Sequence, residues 1–240
     1  MKKQVPPILI VGQSHTEAII SAQRHLESPI AEIANLNARH RELKVAEKIK
    51  MNGYLPDREG RTLVASMIGG NFHNTFGLIE NVIKFDFPVP GEDDFVLAND
   101  RHLITFELMK HYFADVMNRG FLRSIKEVRD HYAPVRFVHV CSPPPISDSE
   151  HIASHPGGVF KDKVRLGVAP SRLRLKFYDL HTSVIADFCE NEGIEFLLPP
   201  SEAVTDDGFL VKAYWMEDPT HANEAYGLLV LDQLQRIAKS

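Results

Sequence analysis

Short apolar runs alternate with longer amphipathic stretches along this chain, and that alternation restricts its fold more than any other feature. Residues 8–11 (Ile-Leu-Ile-Val) are apolar without a break, as a strand is when both faces of its sheet are covered. Further strands are expected at 30–36, 63–68, 135–141 and 194–198. Helices are expected at 16–25, 38–50 and 100–119, in a stretch ending near Tyr132, and around Phe177, Val184, Ile185 and Phe188. A last helix is expected from about Thr220. Within 100–119, Ile104, Leu108, Tyr112 and Val116 recur every four positions with Met109 and Phe113 beside them, the pattern of a half-buried helix. Strands alternating with helices imply a parallel sheet covered on both faces, a three-layer α/β/α sandwich. The 240 residues can bury a full core as one domain, expected over 1–240. Between 146 and 170 periodicity is lost around Gly157 and Gly158, and a loop that long is expected to be functional, as a lid near a site, or disordered.

Charge and composition exclude several functions. A net charge of −5 without a basic, aromatic-interleaved stripe speaks against nucleic acid as a partner. Arg172, Arg174 and Lys176 read as solvated surface, with attraction of an anionic substrate as the alternative. Two cysteines, Cys141 and Cys189, supply neither a disulfide framework nor a four-thiolate zinc site, and are expected to be small buried hydrophobes. The apolar stretch after Lys2 and Lys3 is too short for a signal segment, and no run reaches membrane-span length, so a cytoplasmic protein is expected. His151 and His155 lie four apart in a Pro/Gly-rich segment with no third ligand evident, so no metal is expected there. No P-loop, dinucleotide fingerprint or His-Glu-Xaa-Xaa-His occurs, and no cofactor is expected.

Ligands bind at the carboxyl ends of the strands in such sheets. The first strand runs into Gly12-Gln13-Ser14-His15, the third into Gly69-Gly70-Asn71-Phe72-His73, and the chain reads Asp218-Pro219-Thr220-His221 ahead of its last helix. Each piece alone has a plain structural explanation. Ser14 and Glu17 fit a helix capping box, Asp218-Pro219 an N-cap with proline at the first helical position, and Gly69-Gly70-Asn71 a turn needing positive φ. Together they supply a hydroxyl nucleophile, a base, a carboxylate to orient the base, and a donor for an oxyanion. With Asp218 at the turn and His221 three residues on, the carboxylate can reach one imidazole nitrogen while the other faces Ser14.

These blocks resemble, in order, those of the SGNH (GDSL-like) hydrolase superfamily. Gly12-Gln13-Ser14 is similar to its Gly-Asp-Ser, Gly69-Gly70-Asn71-Phe72 to its Gly-Xaa-Asn-Asp, and Asp218-Pro219-Thr220-His221 to its Asp-Xaa-Xaa-His. The likeness spans residue 8 to the C-terminal helix. It implies the SGNH-hydrolase fold, a flavodoxin-like α/β/α sandwich on a mostly parallel five-stranded sheet. It implies Ser14 as nucleophile, His221 as base and Asp218 as the group orienting it. The oxyanion donors would be Asn71 and the Ser14 N–H, with a glycine N–H from a loop after the second strand, for which Gly53 and Gly60 are both candidates. His15 and His73 adjoin the two turns and are candidate substrate contacts. Gln13 and Phe72 stand where the family motif has aspartate, and Thr16 excludes the Gly-Xaa-Ser-Xaa-Gly elbow of the α/β-hydrolases. The resemblance implies an ester hydrolase acting on a small molecule, such as an O-acylated carbohydrate. An O-acyltransferase using the same site and a non-catalytic binding domain are the alternatives.

Overall fold

The computed structural model describes residues 5–38, 40 and 42–240. In chain order the elements begin with β1 (Ile8–Gly12), α1 (Thr16–Gln23), β2 (Ala31–Asn35), α2 (Val45–Lys50), β3 (Leu63–Met67) and α3 (Phe72–Gly77). A short ladder of β4 (Phe85–Asp86) and β5 (His102–Leu103) follows, then α4 (Phe106–Met117), a π-helical turn (Asn118–Leu122), α5 (Arg123–Tyr132) and β6 (Arg136–Val140). The chain finishes with α6 (Ser149–Ser154), α7 (Ser171–Asn191), β7 (Glu195–Leu197) and α8 (Glu224–Lys239).

The central sheet has the order β2-β1-β3-β6-β7 and every pairing in it is parallel. Numbered within the sheet alone, this is the 2-1-3-4-5 order of flavodoxin-like folds. All five residues of β1 are buried, and they alternate between the two faces. Leu9 and Val11 join Val64, Ile68, Phe113, Phe137 and Phe177 on one side, while Ile8 and Ile10 join Ala65, Val138, Tyr226 and Val230 on the other. Gly227 of α8 lies directly on α1, since a Cβ there would come within 2.3 Å of the Ala18 carbonyl oxygen.

Several expected boundaries shift. Residues 100–119 do not form one helix, because His102 and Leu103 pair with β4 and Thr105 caps α4 by accepting from the Leu108 N–H. The buried stripe of α4 is Met109, Phe113 and Met117, and Leu108 and Tyr112 face solvent. The expected helix at 38–50 is confined to its last turn and a half, Val45–Lys50. The 146–170 segment is not one loop. Asp148 accepts from the Glu150 and His151 N–H groups to start α6, two short 3₁₀ turns follow, and Val168 bridges back to Ile79. The last helix starts four residues later than expected, at Glu224, capped by the Asn223 side chain.

The basic trio is also not a solvated patch. Arg174 and Lys176 are buried, and only Arg172 is exposed. Arg174 donates to the Ala169 and Ser147 carbonyls and to Ser149 Oγ. Lys176 meets Asp86 and Glu92 at 3.1 Å each and the Phe87 carbonyl at 2.9 Å, pinning the acidic 86–95 loop to α7. Both cysteines are buried free thiols. Among the described residues no helix is long and apolar enough to cross a membrane.

Candidate active site

The site lies where the sheet order reverses, between β1 and β3. Gly12 pairs with Asn35 of β2 and with Met67 of β3. Two residues further along each strand come Ser14, Asn37 and Gly69, and all three line one cavity of about 280 Å³. Gly12 makes the junction tight, since a Cβ there would lie 2.7 Å from both Met67 Cβ and Thr16 Cγ2.

Ser14 follows β1 at the start of α1, where exposed N–H groups and the helix dipole favour negative charge. The capping-box explanation does not hold. The N-cap position of α1 is His15, no side chain caps the helix, and Glu17 instead accepts from Asn35 Nδ2 at 2.6 Å. The first turn is secured by Thr16, whose N–H and hydroxyl both donate to the Gln13 carbonyl. Gln13 Oε1 accepts from the Gly69 N–H at 3.0 Å, so the residue standing in for the family aspartate ties the β1 turn to the β3 turn.

Of the three residues in the β3 turn, only Gly69 has positive φ, at 80°. A Cβ there would come 2.0 Å from the Phe121 ring, so glycine admits both the turn and the ring. At Gly70 a Cβ would meet the His15 ring at 2.7 Å. Asn71 is held at both ends of its amide. Its Oδ1 accepts from Asn74 Nδ2, and its Nδ2 donates to Thr220 Oγ1 at 3.3 Å.

Asp218 and His221 precede α8 on a closed turn, not on the helix itself. Asp218 Oδ1 accepts from the N–H groups of Thr220 (2.7 Å) and His221 (2.8 Å), and Oδ2 accepts from His221 Nδ1 at 2.8 Å. Burial pushes the carboxyl up, but the His221 hydrogen bond and charge and the two N–H donors outweigh it and hold its pKa at about 2. The carboxylate is therefore ionised throughout the neutral range and fixes the proton of His221 on Nδ1. His221 Nε2 is buried and has no hydrogen-bond partner among the described residues. His151 supports the turn from behind, its Nε2 3.2 Å from the Asp218 carbonyl and its ring stacked on His155, so these two histidines brace the loop.

The other candidates divide. His15 lines the Ser14 cavity, is 6% exposed, and lies 4.9 Å from the His221 ring. Burial first, and His221 second, lower its pKa to about 3, so it is neutral. His73 does not reach the cavity, because α3 turns it inward against Tyr178 and His181, at 5.3 and 5.2 Å between ring centroids. Neither glycine candidate reaches the cavity either. Gly60 lies beside Val5 at the amino edge of the sheet, and Gly53 lines a separate cavity of about 520 Å³ along β2. That cavity is the larger, yet it contains none of Ser14, Asn71, Asp218 and His221. The loop directly after β2 brings Asn37 to the Ser14 cavity, with its N–H already donated to Asn35 Oδ1 at 2.8 Å.

A second cavity, of about 210 Å³, contains Asp218, Pro219, Thr220 and His221. Asn71, Val159 and Phe160 line both it and the Ser14 cavity. Residues 157–160 of the expected lid segment thus lie at the site. Phe121 enters the Ser14 cavity from the π-helical turn, which no periodicity announces.

The chain matches no family model, and no curated protein is similar to it in sequence. Solved structures do share its fold. One is a Streptococcus pneumonia protein described as a platelet activating factor, with 13% identity over 99% of this chain and 86% of that one and a TM-score of 0.56. Another is a Bacteroides fragilis protein described as an acylhydrolase, with 13% identity over 99% and 91% of the two chains and a TM-score of 0.50. A third, from Bacteroides thetaiotaomicron, is described as a GDSL-like lipase, with 11% identity over 97% and 87% and a TM-score of 0.50. With its parallel 2-1-3-4-5 sheet and helices on both faces, this chain has the fold of the SGNH, or GDSL-like, hydrolases.

Proposed function

We propose that the chain is a serine acyl hydrolase that cleaves the ester of a small O-acylated molecule, an acylated carbohydrate being the class its sequence resemblance suggests. The observation that carries this reading is the 2.8 Å bond from His221 Nδ1 to Asp218 Oδ2. It leaves Nε2 as the free basic nitrogen, on the strand edge where Ser14 has no capping duty. Ser14 Oγ attacks the ester carbonyl as His221 Nε2 takes its proton, forming the Oγ–C bond. The tetrahedral oxyanion is met by the Ser14 N–H and the Asn71 amide, which its bonds to Thr220 and Asn74 hold in place. The ester C–O bond then breaks, and His221 returns the proton to the departing alkoxide. Water, deprotonated by the same nitrogen, releases the acyl group as a carboxylic acid and restores Ser14. Ser14 and His221 are expected to close to hydrogen-bond distance only with substrate present, as catalytic contacts commonly do.

The test is covalent labelling with a fluorophosphonate probe, beside hydrolysis of short-chain esters by the same preparation. Ser14 is expected to be the labelled residue, and Ser14→Ala to abolish both labelling and turnover. Undiminished labelling of Ser14→Ala would move the nucleophile elsewhere.

A further inference from the structure

The two cavities that meet at Asn71 share Val159 and Phe160, and the reaction assigns them different halves of the substrate. His221 must hand its proton to the leaving oxygen, so the alcohol half of an ester lies on the His221 side. That side is lined by the Gly157-Gly158 turn, Val159, Phe160, Pro219 and Thr220. The acyl half, bonded to Ser14 in the intermediate, extends into the other cavity. There Phe72 and Phe121 line this cavity alone and Phe160 is shared, while Gln13, His15, Asn37 and Thr75 supply the polar part of the lining.

We infer that Phe72 and Phe121, with the shared Phe160, form an acyl-binding pocket selecting a short aliphatic chain longer than acetyl, in keeping with the pocket's small size. The inference rests on the serine-hydrolase reading and adds the substrate's acyl class to it. Three features of this chain build the pocket. Phe72 occupies the position where the family motif has aspartate, and its ring packs at 5.1 Å on Phe113 and 6.0 Å on Phe121. The π-helical turn between α4 and α5 bulges the backbone and carries Phe121 over Gly69, where only a missing Cβ leaves space. Phe160 is 9% exposed, anchored in the core beneath the second face of the sheet, and holds Val159, 76% exposed, at the mouth. The 280 Å³ volume is at the small end of ligand sites, so the cavity limits chain length.

The experiment measures kcat/KM for p-nitrophenyl esters from acetyl to octanoyl with the full chain, Phe121→Ala and Phe121→Trp, and labels Ser14 in each. In the unmodified chain, kcat/KM is expected to rise about four-fold per added methylene until the pocket is full, the worth of burying one CH₂, and then to fall. Phe121→Ala is expected to move the optimum to longer chains, and Phe121→Trp, which fills the same space, to shorter ones. A preference for acetyl, or an optimum unmoved in both variants while Ser14 labels normally, overturns the acyl pocket alone. No hydrolysis of any ester together with no labelling of Ser14 overturns the hydrolase reading and the pocket with it.

Discussion

The two walls of the Ser14 cleft are held by different forces. On one, Gln13, Asn71, Asn74, Thr220, Asp218 and His221 are joined by directional hydrogen bonds that run from the β3 turn to the loop before α8. On the other, the rings of Phe72 and Phe121 pack on each other and on His181, and Phe160 is anchored in the core on the second face of the sheet. A hydrogen bond fixes an atom to a few tenths of an ångström and an angle, which charge stabilisation requires. Apolar packing fixes a shape and a volume, which recognition requires. The first wall is therefore expected to govern kcat, and the second to govern which acyl group is accepted.

The sharpest way to break this division is Asp218→Asn. The asparagine oxygen can keep the bonds from the Thr220 and His221 N–H groups, so the turn is expected to survive. Its amide, however, donates toward Nδ1 and leaves the proton of His221 on Nε2, the wrong nitrogen for a base. Turnover is expected to fall by about 10⁴-fold with little change in melting temperature. A variant that keeps a tenth of its activity would show that the hydrogen-bonded wall is scaffolding.

Asn71→Ala comes next. It removes the side-chain donor to the oxyanion, which matters most once the carbonyl oxygen is charged, so kcat is expected to drop roughly 10²–10³-fold with a smaller change in KM. If Asn71 only shapes the turn, the result is instead a lower melting temperature with near-normal kcat per folded molecule. Both constants and the melting curve, taken on one preparation, separate the two. Thr220→Val is the milder version. It keeps Asn71 but removes the hydroxyl that Nδ2 donates to at 3.3 Å, and one neutral hydrogen bond corresponds to a loss of roughly two- to ten-fold in kcat. No loss at all would mean that Asn71 is oriented by Asn74 alone.

The sheet and the hydrogen-bonded wall were legible in the sequence; the aromatic wall was not. β1 reads as an unbroken apolar run and β3 as one interrupted only by the small Ser66, because both faces of the sheet are covered, and each ends at a polar block that the register then brings level with its neighbour. Asp218 and His221 are three apart and need only a local turn to meet. By contrast, neither Gly53 nor Gly60, both beyond α2, supplies the donor expected after β2, and the residue the register brings to the cavity is Asn37, two past Asn35, whose N–H is already engaged. Phe121 reaches the cleft through an extra residue's worth of backbone in a π-helical turn, which leaves no hydrophobic period to read. His73 adjoins the site in sequence but points away, because successive residues of α3 diverge and Phe72 takes the cleft side. On α4 the apolar residues cover more than one stripe, and tertiary packing chose Met109, Phe113 and Met117 over their neighbours.

The smallest expected effect on rate, and a distinct one on stability, comes from four buried histidines. His15, His73, His139 and His181 are all buried, each with a ring nitrogen that lacks a partner among the described residues. Burial leads the causes that hold His15 and His139 at about 3 and His181 at about 4, and it takes His73 well below the usual imidazole value. An unfolded histidine titrates near ~6.5, so between that pH and about 4 the unfolded chain binds protons that the folded chain refuses. Stability is thus fully present above about pH 6.5 and declines as pH falls, by up to about 1.4 kcal/mol per pH unit for each such histidine. Arg174, equally buried but donating to the Ala169 and Ser147 carbonyls, is pulled down by burial only to about 10, so it keeps its charge in this range and adds no such slope. Urea melts at pH 8, 6.5 and 5 measure the slope, and His139→Phe, far from Ser14 on β6, is expected to reduce proton uptake on unfolding at pH 5 by about one. A stability curve that stays level from pH 8 to 5 would mean that these imidazoles are solvated or paired in the folded chain.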